Sequence, residues 1–157
     1  MEDSNTVKKA MEHVESLGVP MPKKPGRSAD DIEWPATVGE LSLADLSRHI
    51  TWWTGWEAYI GPEVAKAATN ATAYEKELGL ALSIEMHKRI KEFDKVTDRK
   101  AAVMGQKYMQ ELEARFLEAK AHKTLLASIM DGYGKKAATV SREITVRGEQ
   151  YSGSRRS

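Results

Sequence analysis

The stretch YMQELEARFLEAKAHKTLLASIMDGYGKKAATVSREITVR, residues 108–147, decides the fold. No proline occurs from Asp98 onward, and Met104, Tyr108, Leu112, Ala119, Leu126, Met130, Tyr133, Ala137, Val140 and Ile144 fall on one side of a helix. From Tyr108 to Ile144 the stripe advances 36 residues in ten turns. That is a straight helix of 3.6 residues per turn, since a supercoiled seam needs 3.5. The spacing predicts one helix from Asp98 to about Arg147, ~75 Å long at 1.5 Å per residue. Gly132 and Gly134, in DGYGKK, mark where it would bend or stop.

Upstream, SLAD at 42–45 reads as a capping box that opens a helix, with Ser42 accepting an N–H while Asp45 reaches back. Leu46, Ile50, Trp53 and Ile60 then share one face, and Trp52, Trp56 and Tyr59 share its neighbour. Two adjacent apolar stripes suit burial against two partners. Gly61-Pro62 predicts a break, after which a second helix runs to about Phe93 with Val64, Ala68, Ala71, Tyr74, Leu78, Leu82, Met86 and Ile90 as its stripe. DKVTDRK at 94–100 closes the hairpin, with Thr97 as the next cap. Residues 4–17 form a short amphipathic helix built on Val7, Met11, Val14 and Leu17, capped by Ser4 or Asn5 and stopped by Gly18. Four prolines between Gly18 and Glu40 predict an extended connector, in which Trp34 is the one evident anchor.

The expectation is an all-α protein: an elongated helical hairpin or bundle with one long C-terminal helix, preceded by a proline-rich arm. The arm, with its short helix, covers residues 1–41, the helical domain 42–150, and a disordered basic tail 151–157 that includes Arg155 and Arg156. Because the partner helices are shorter than the third, the stripe at 126–144 lacks cover within its own chain. Each large apolar side chain left wet forfeits ~1.5–3 kcal/mol. A homo-oligomer follows, with Leu126, Ile129, Met130, Tyr133, Val140 and Ile144 as its interface.

Composition narrows the function. The chain has no cysteine, which excludes disulfides, thiolate metal sites and cysteine nucleophiles. No apolar run is long enough to span a membrane and no export signal is visible, so a cytoplasmic location is expected. The formal charge of +1 is mildly segregated, from −3 over residues 1–41 to +3 over 131–157. That is far from the balance of a dedicated duplex-DNA binder. No histidine has a glutamate three residues before it, so a carboxylate-bridged metal site is not expected. GYGKK ends like a phosphate loop, yet Ile129 replaces the first glycine and Lys136 the magnesium-holding hydroxyl. NAT at 70–72 is a glycosylation sequon in letters only. Neither catalysis nor a cofactor is expected.

Three constellations could hold a single strand. The first is HITWWTGWEAY, 49–59, with Trp52 and, upstream, Arg48: bases stack on such rings for ~1–3 kcal/mol each. Rings that point two ways also suit a plug between helices, the commoner use. The second is HKRIKEFDKVTDRK, 87–100, carrying Lys88, Arg89, Lys91, Lys95, Arg99 and Lys100. The third is the basic end, with Lys135, Lys136, Arg142 and Arg147. Basic groups draw phosphates in a salt-dependent way, although solvated turns and helix ends carry such charges too.

The order of features resembles a known family. An aromatic-bearing helix, then TAYEKELGLALSIEMHKRI, a turn, and a long helix ending in TVSREITVR are similar to the phage recombination mediators of the UvsY type over residues 42–147. The resemblance implies a small helical oligomer that binds single-stranded DNA and helps a RecA-like recombinase displace single-strand binding protein. The arm at 18–40 has no counterpart in that layout. A structural or adaptor protein of a phage particle, assembling through its long helix, is the competing expectation.

Overall fold

The computed structural model describes residues 3–26 and 32–154, with the backbone alone for 151–154. Among these residues it is all-α, with no strand: α1 (Asn5–Ser16), α2 (Leu43–Lys88), α3 (Val96–Met104) and the long C-terminal α4 (Lys107–Ser154), plus a 3-10 turn at Val38–Glu40. The chain divides into two compact units, Met1–Pro20 with Val64–Leu125, and Met21–Glu63 with Leu126–Ser157. This division differs from the expected boundary near residue 41, because α1 packs in the first unit and the rest of the arm in the second. Arg155 and Arg156 lie outside the described residues. Residues to Ser154, expected in a disordered tail, continue α4.

In the first unit, α1 is the helix its sequence announces. Ser4 caps it by accepting the Val7 N–H at 3.4 Å, and Gly18 follows at φ +65, a left-handed conformation that costs glycine nothing. Val7 is buried, and Asn70 of α2 holds the helix start. Its Oδ1 accepts the Ser4 N–H and its Nδ2 donates to Asp3, both at 2.8 Å. Asn70 is only 2% exposed, so the 70–72 sequon offers no accessible amide. Val103, Met109 and Leu112 form the core beyond it, with Leu78, Ala81, Leu82, Met86 and Met104 against them.

Two expected boundaries move. Helix α2 ends at Lys88 rather than Phe93, and α3 begins at Val96 with Lys95, not Thr97, at the cap position. The third helix is interrupted at Gly105-Gln106, where the Gly105 N–H bonds back to Ala101 and the Gln106 N–H to Val103. This break shifts the helical phase. Met109 turns fully inward, and Tyr108, expected in the stripe, stands 55% exposed.

The predicted break at Gly61-Pro62 does not occur, and α2 carries Pro62 inside it. Proline there deletes one backbone hydrogen bond, a cost of ~3 kcal/mol in a free helix. The buried side chains to either side, Trp53 and Trp56 before it and Ala67 and Ala71 after it, outweigh that loss. Gly132 and Gly134 likewise leave α4 unbroken.

In the second unit the Ser42 cap forms as expected. Its Oγ accepts the Asp45 N–H at 3.1 Å and donates to the Asp45 carboxylate at 2.6 Å. The N-terminal part of α2 then buries Leu46, Trp53 and Trp56 against the part of α4 that buries Ala137 and Val140. Tyr133 lies between the two tryptophans, 5.7 Å from Trp53 and 6.2 Å from Trp56. Glu57 crosses α4 at Gly134, where a Cβ would stand 2.8 Å from its Oε1. Only a glycine admits that approach without a shift of the carboxylate. The connector is tied down at two points. Trp34 packs edge-on to His49 and Trp53. Arg147 donates to the carbonyls of Leu41 and Gly39, both at 2.7 Å, while its Nε holds Glu143.

Candidate nucleic-acid interface

The tryptophan cluster is divided between core and surface. Trp53 and Trp56 are buried, and their indole N–H groups find no acceptor among the described residues. Apolar area therefore holds this cluster, and the rings have no face left for a base. Trp52 differs. It is half-buried and lies edge-to-face with Trp56 at 6.1 Å and 72°. With Ser47, Arg48, Thr51 and Gly55 it borders a cleft of about 590 Å³ whose other wall is Pro25, Gly26 and Ile32. Helical spacing explains the α2 wall, since Arg48, Trp52 and Gly55 are four and three residues apart. The wall from the connector carries no sequence signal beyond its prolines.

Charge around the cleft is mixed. The Arg48 side chain is 69% exposed and reaches Asp45 at 3.4 Å, a solvent-screened pair. The Ser42 hydroxyl, bonded to the Asp45 carboxylate, holds its pKa below the ordinary value; desolvation opposes this, and Arg48 and His49 add to the lowering. His49 is buried one turn on, and burial lowers its pKa; Asp45 pulls the other way and Arg48 adds to the depression. A second, smaller cleft of about 250 Å³ lies between Ile32, Glu33, Leu41 and the α2 residues Asp45, Arg48 and His49.

The basic groups expected at 135–147 are partly absorbed by the fold. The Lys136 ammonium sits 4.0 Å above the Trp53 ring and 5.6 Å from Trp34, a cation–π contact within the unit. Arg147 is committed to the connector carbonyls. Lys135 pairs with Asp131 at 2.6 Å and remains exposed, and Arg142 is exposed. Arg48 and Trp52 are thus the residues of this unit that the fold brings together beside open space.

In the first unit the basic turn keeps more of its charge available. Lys88 pairs with Glu85 and Arg89 with Glu92. Arg99 donates to the Phe93 carbonyl at 2.9 Å and closes the turn. Lys91, Lys95 and Lys100 are exposed and make no ion pair or side-chain hydrogen bond among the described residues.

The residues expected at an oligomer interface divide in the same way. Val140 is fully buried by its own chain, which corrects its assignment to an interface. The chain itself supplies the cover expected to be missing at this position. Tyr133 spends its ring on Trp53 and Trp56. Leu126, Met130 and Ile144 are half-buried, and Ile129 is 43% exposed. Leu117 and Leu125, also exposed on α4, were not singled out by the stripe because they lie off its axis.

Among the described residues no helix is long and apolar enough to cross a membrane, and no cluster of three or more histidine or acidic side chains could hold a metal ion. No protein-family model, no curated protein and no solved structure matches the chain.

Proposed function

We propose that this protein is a non-enzymatic binder of single-stranded DNA that works as a cytoplasmic oligomer. Its role is that of a recombination mediator of the UvsY type, which it resembles in layout. The observation that carries the reading is the turn between α2 and α3, where Lys91, Lys95 and Lys100 remain exposed and without an anionic partner among the described residues. Such a group attracts phosphates with no regard to sequence, and each phosphate it neutralises releases a counterion. In this role the protein would hand a strand from single-strand binding protein to a RecA-like recombinase.

The test is binding of a fluorescent oligo-dT across a salt series. Glutamine at positions 91, 95 and 100 should weaken binding at low salt by at least tenfold and flatten the salt slope by about two units, at roughly 0.7 per phosphate contact. Binding without a salt slope, or no binding at low salt, would end this reading.

A second reading has its own support. Leu117, Leu125 and Ile129 stand exposed along α4, as an adaptor assembling through its long helix would require. Binding of oligo-dT separates the two, since both readings assemble and only the mediator holds a strand, while light scattering of a Leu125→Glu variant tests the assembly itself.

A further inference from the structure

Lysine alone does not explain why the turn between α2 and α3 would take a single strand. An ammonium is a hydrated point charge, and a duplex offers it phosphates more densely, one charge per about 1.7 Å of axis. Asp94 and Asp98 are exposed there too and temper the pull of Lys91, Lys95 and Lys100. Two aliphatic side chains stand among these charges: Ile90 is 52% exposed and Val96 61%. Ile90 belongs by spacing to the apolar stripe of α2, but the helix ends at Lys88. Beyond that end Phe93 is half-buried and Ile90 is left outside. Val96 opens α3, with Lys95 before it and Lys100 four residues on, which places Val96 and Lys100 on one helix face. The turn is fixed in place. The Ile90 N–H donates to the His87 carbonyl at 3.2 Å, the Glu92 N–H to that of Arg89 at 3.0 Å, and the Arg99 guanidinium to that of Phe93 at 2.9 Å. Ile90 and Val96 are therefore held at either end of residues 91–95 before a ligand arrives.

We propose that Ile90 and Val96 make this turn selective for single strands, with unpaired bases lying against the two side chains while the lysines hold the flanking phosphates. The proposal rests on the strand-binding reading and names what selects a strand at that same turn. In a duplex the base faces are stacked on one another and only their edges reach the grooves, so an aliphatic surface beside the phosphates gains nothing. In a strand those faces are open, and covering them removes apolar area of both partners from water. Isoleucine and valine carry no hydrogen-bonding side-chain group, so the contact reads no base identity. It also neutralises no phosphate, so it raises affinity without steepening the salt dependence that the lysines set.

The experiment uses the full chain, one labelled mixed-sequence strand, and the same strand annealed to its complement. Vesicles of phosphatidylcholine and phosphatidylserine in equal parts are the third probe, because an aliphatic tip among lysines also suits an anionic lipid surface. Ile90→Ser with Val96→Ser changes two exposed positions, and unaltered duplex affinity checks that the fold survives. The wild type should bind the strand about tenfold more tightly than the duplex, as partial cover of two aliphatic side chains allows. The serine pair should bring the two affinities together, weakening the strand about tenfold and the duplex not at all, with the salt slope unchanged. Glutamine at 91, 95 and 100 should weaken strand and duplex alike. A serine pair that keeps the wild-type ratio of strand to duplex affinity overturns the selectivity and leaves the strand-binding reading standing. A wild type that binds duplex as tightly as strand does the same. Binding to neither nucleic acid overturns both. Vesicle binding that the serine pair removes, with no strand bound, also overturns both and assigns the tip to a membrane surface.

Discussion

Asn70 gives the sharpest test of how the first unit is built. It is the one buried amide on α2, and its two bonds fix the start of α1 through Ser4 and Asp3. Asn70→Ala removes an acceptor from the Ser4 N–H, worth ~1 kcal/mol net. The bond to Asp3 is charge-assisted, but Asp3 is exposed and regains water, so its loss stands at the low end of ~1.5–3 kcal/mol. A small void adds a little, for a total of ~2–3 kcal/mol. Asn70→Asp separates the electrostatic part from the packing. It keeps the shape and the acceptor for Ser4, yet sets a carboxylate oxygen where the amide nitrogen now lies, 2.8 Å from that of Asp3. Two carboxylates so close do not both ionise readily. The loss at pH 7 should therefore match or exceed that of Asn70→Ala, and shrink below about pH 5 as the pair comes to share a proton. Adding Asp3→Asn to Asn70→Asp reverses the donor and acceptor and should recover most of the stability. Urea unfolding measures the total, and amide exchange across α1 shows whether this helix undocks first. Full stability of Asn70→Asp at pH 7, or no recovery in the double variant, would refute the hydrogen-bonding account.

Three further outcomes are expected. Trp53→Ala should cost ~3–5 kcal/mol in denaturant unfolding, as loss of a buried ring does, while Trp52→Ala should cost about 1 kcal/mol; equal losses would place Trp52 in the core. Arg147→Lys keeps the charge but cannot reach Gly39, Leu41 and Glu143 together. It should lower stability by ~1–2 kcal/mol and speed proteolysis at residues 32–41. Acid should weaken the fold in two windows. The pKa of His49 is depressed in the native state, so below its ordinary value of about 6.5 the unfolded chain binds the proton better and stability falls with pH. The pKa of Asp45 is also lowered, and its contribution is lost as pH falls from its ordinary 3.8 through the native value. His49→Leu should flatten the upper window in a pH series of melting curves and leave most of the lower one, which the Ser42 hydrogen bond to Asp45 sustains.

What the sequence revealed was local. The Ser4 cap, the Gly18 stop, the Ser42–Asp45 box and the long α4 each depend on residues within one or two turns, and each formed as expected. Pro62 was misread and Gly105 was passed over, for opposite reasons. Proline has a strong local penalty that buried side chains on either side overcame, whereas a lone glycine in AAVMGQK gives little warning that it will end a helix. That unforeseen stop set the phase of Met109 against Tyr108. The same limit governs the candidate site. Arg48 and Trp52 share a face by helical spacing alone, so they were named together from letters. Pro25 comes from a connector without periodicity, and its place beside Gly55 depends on anchors far away in sequence. Trp34 seated on His49 and Arg147 holding the carbonyls of residues 39 and 41 are contacts no spacing rule encodes. These anchors also consume charge that a count of basic residues assigns to a ligand. Lys136 is the clearest case: it is a cation beside aromatic rings, as a nucleic-acid surface requires, yet the rings it covers are Trp34 and Trp53 in its own unit. Net charge near a groove therefore overstates its pull on phosphate wherever the fold has already partnered the base. The surviving attraction lies with the lysines at 91, 95 and 100 and with Arg48, and the direct way to weigh the two is to neutralise each set separately against one labelled strand.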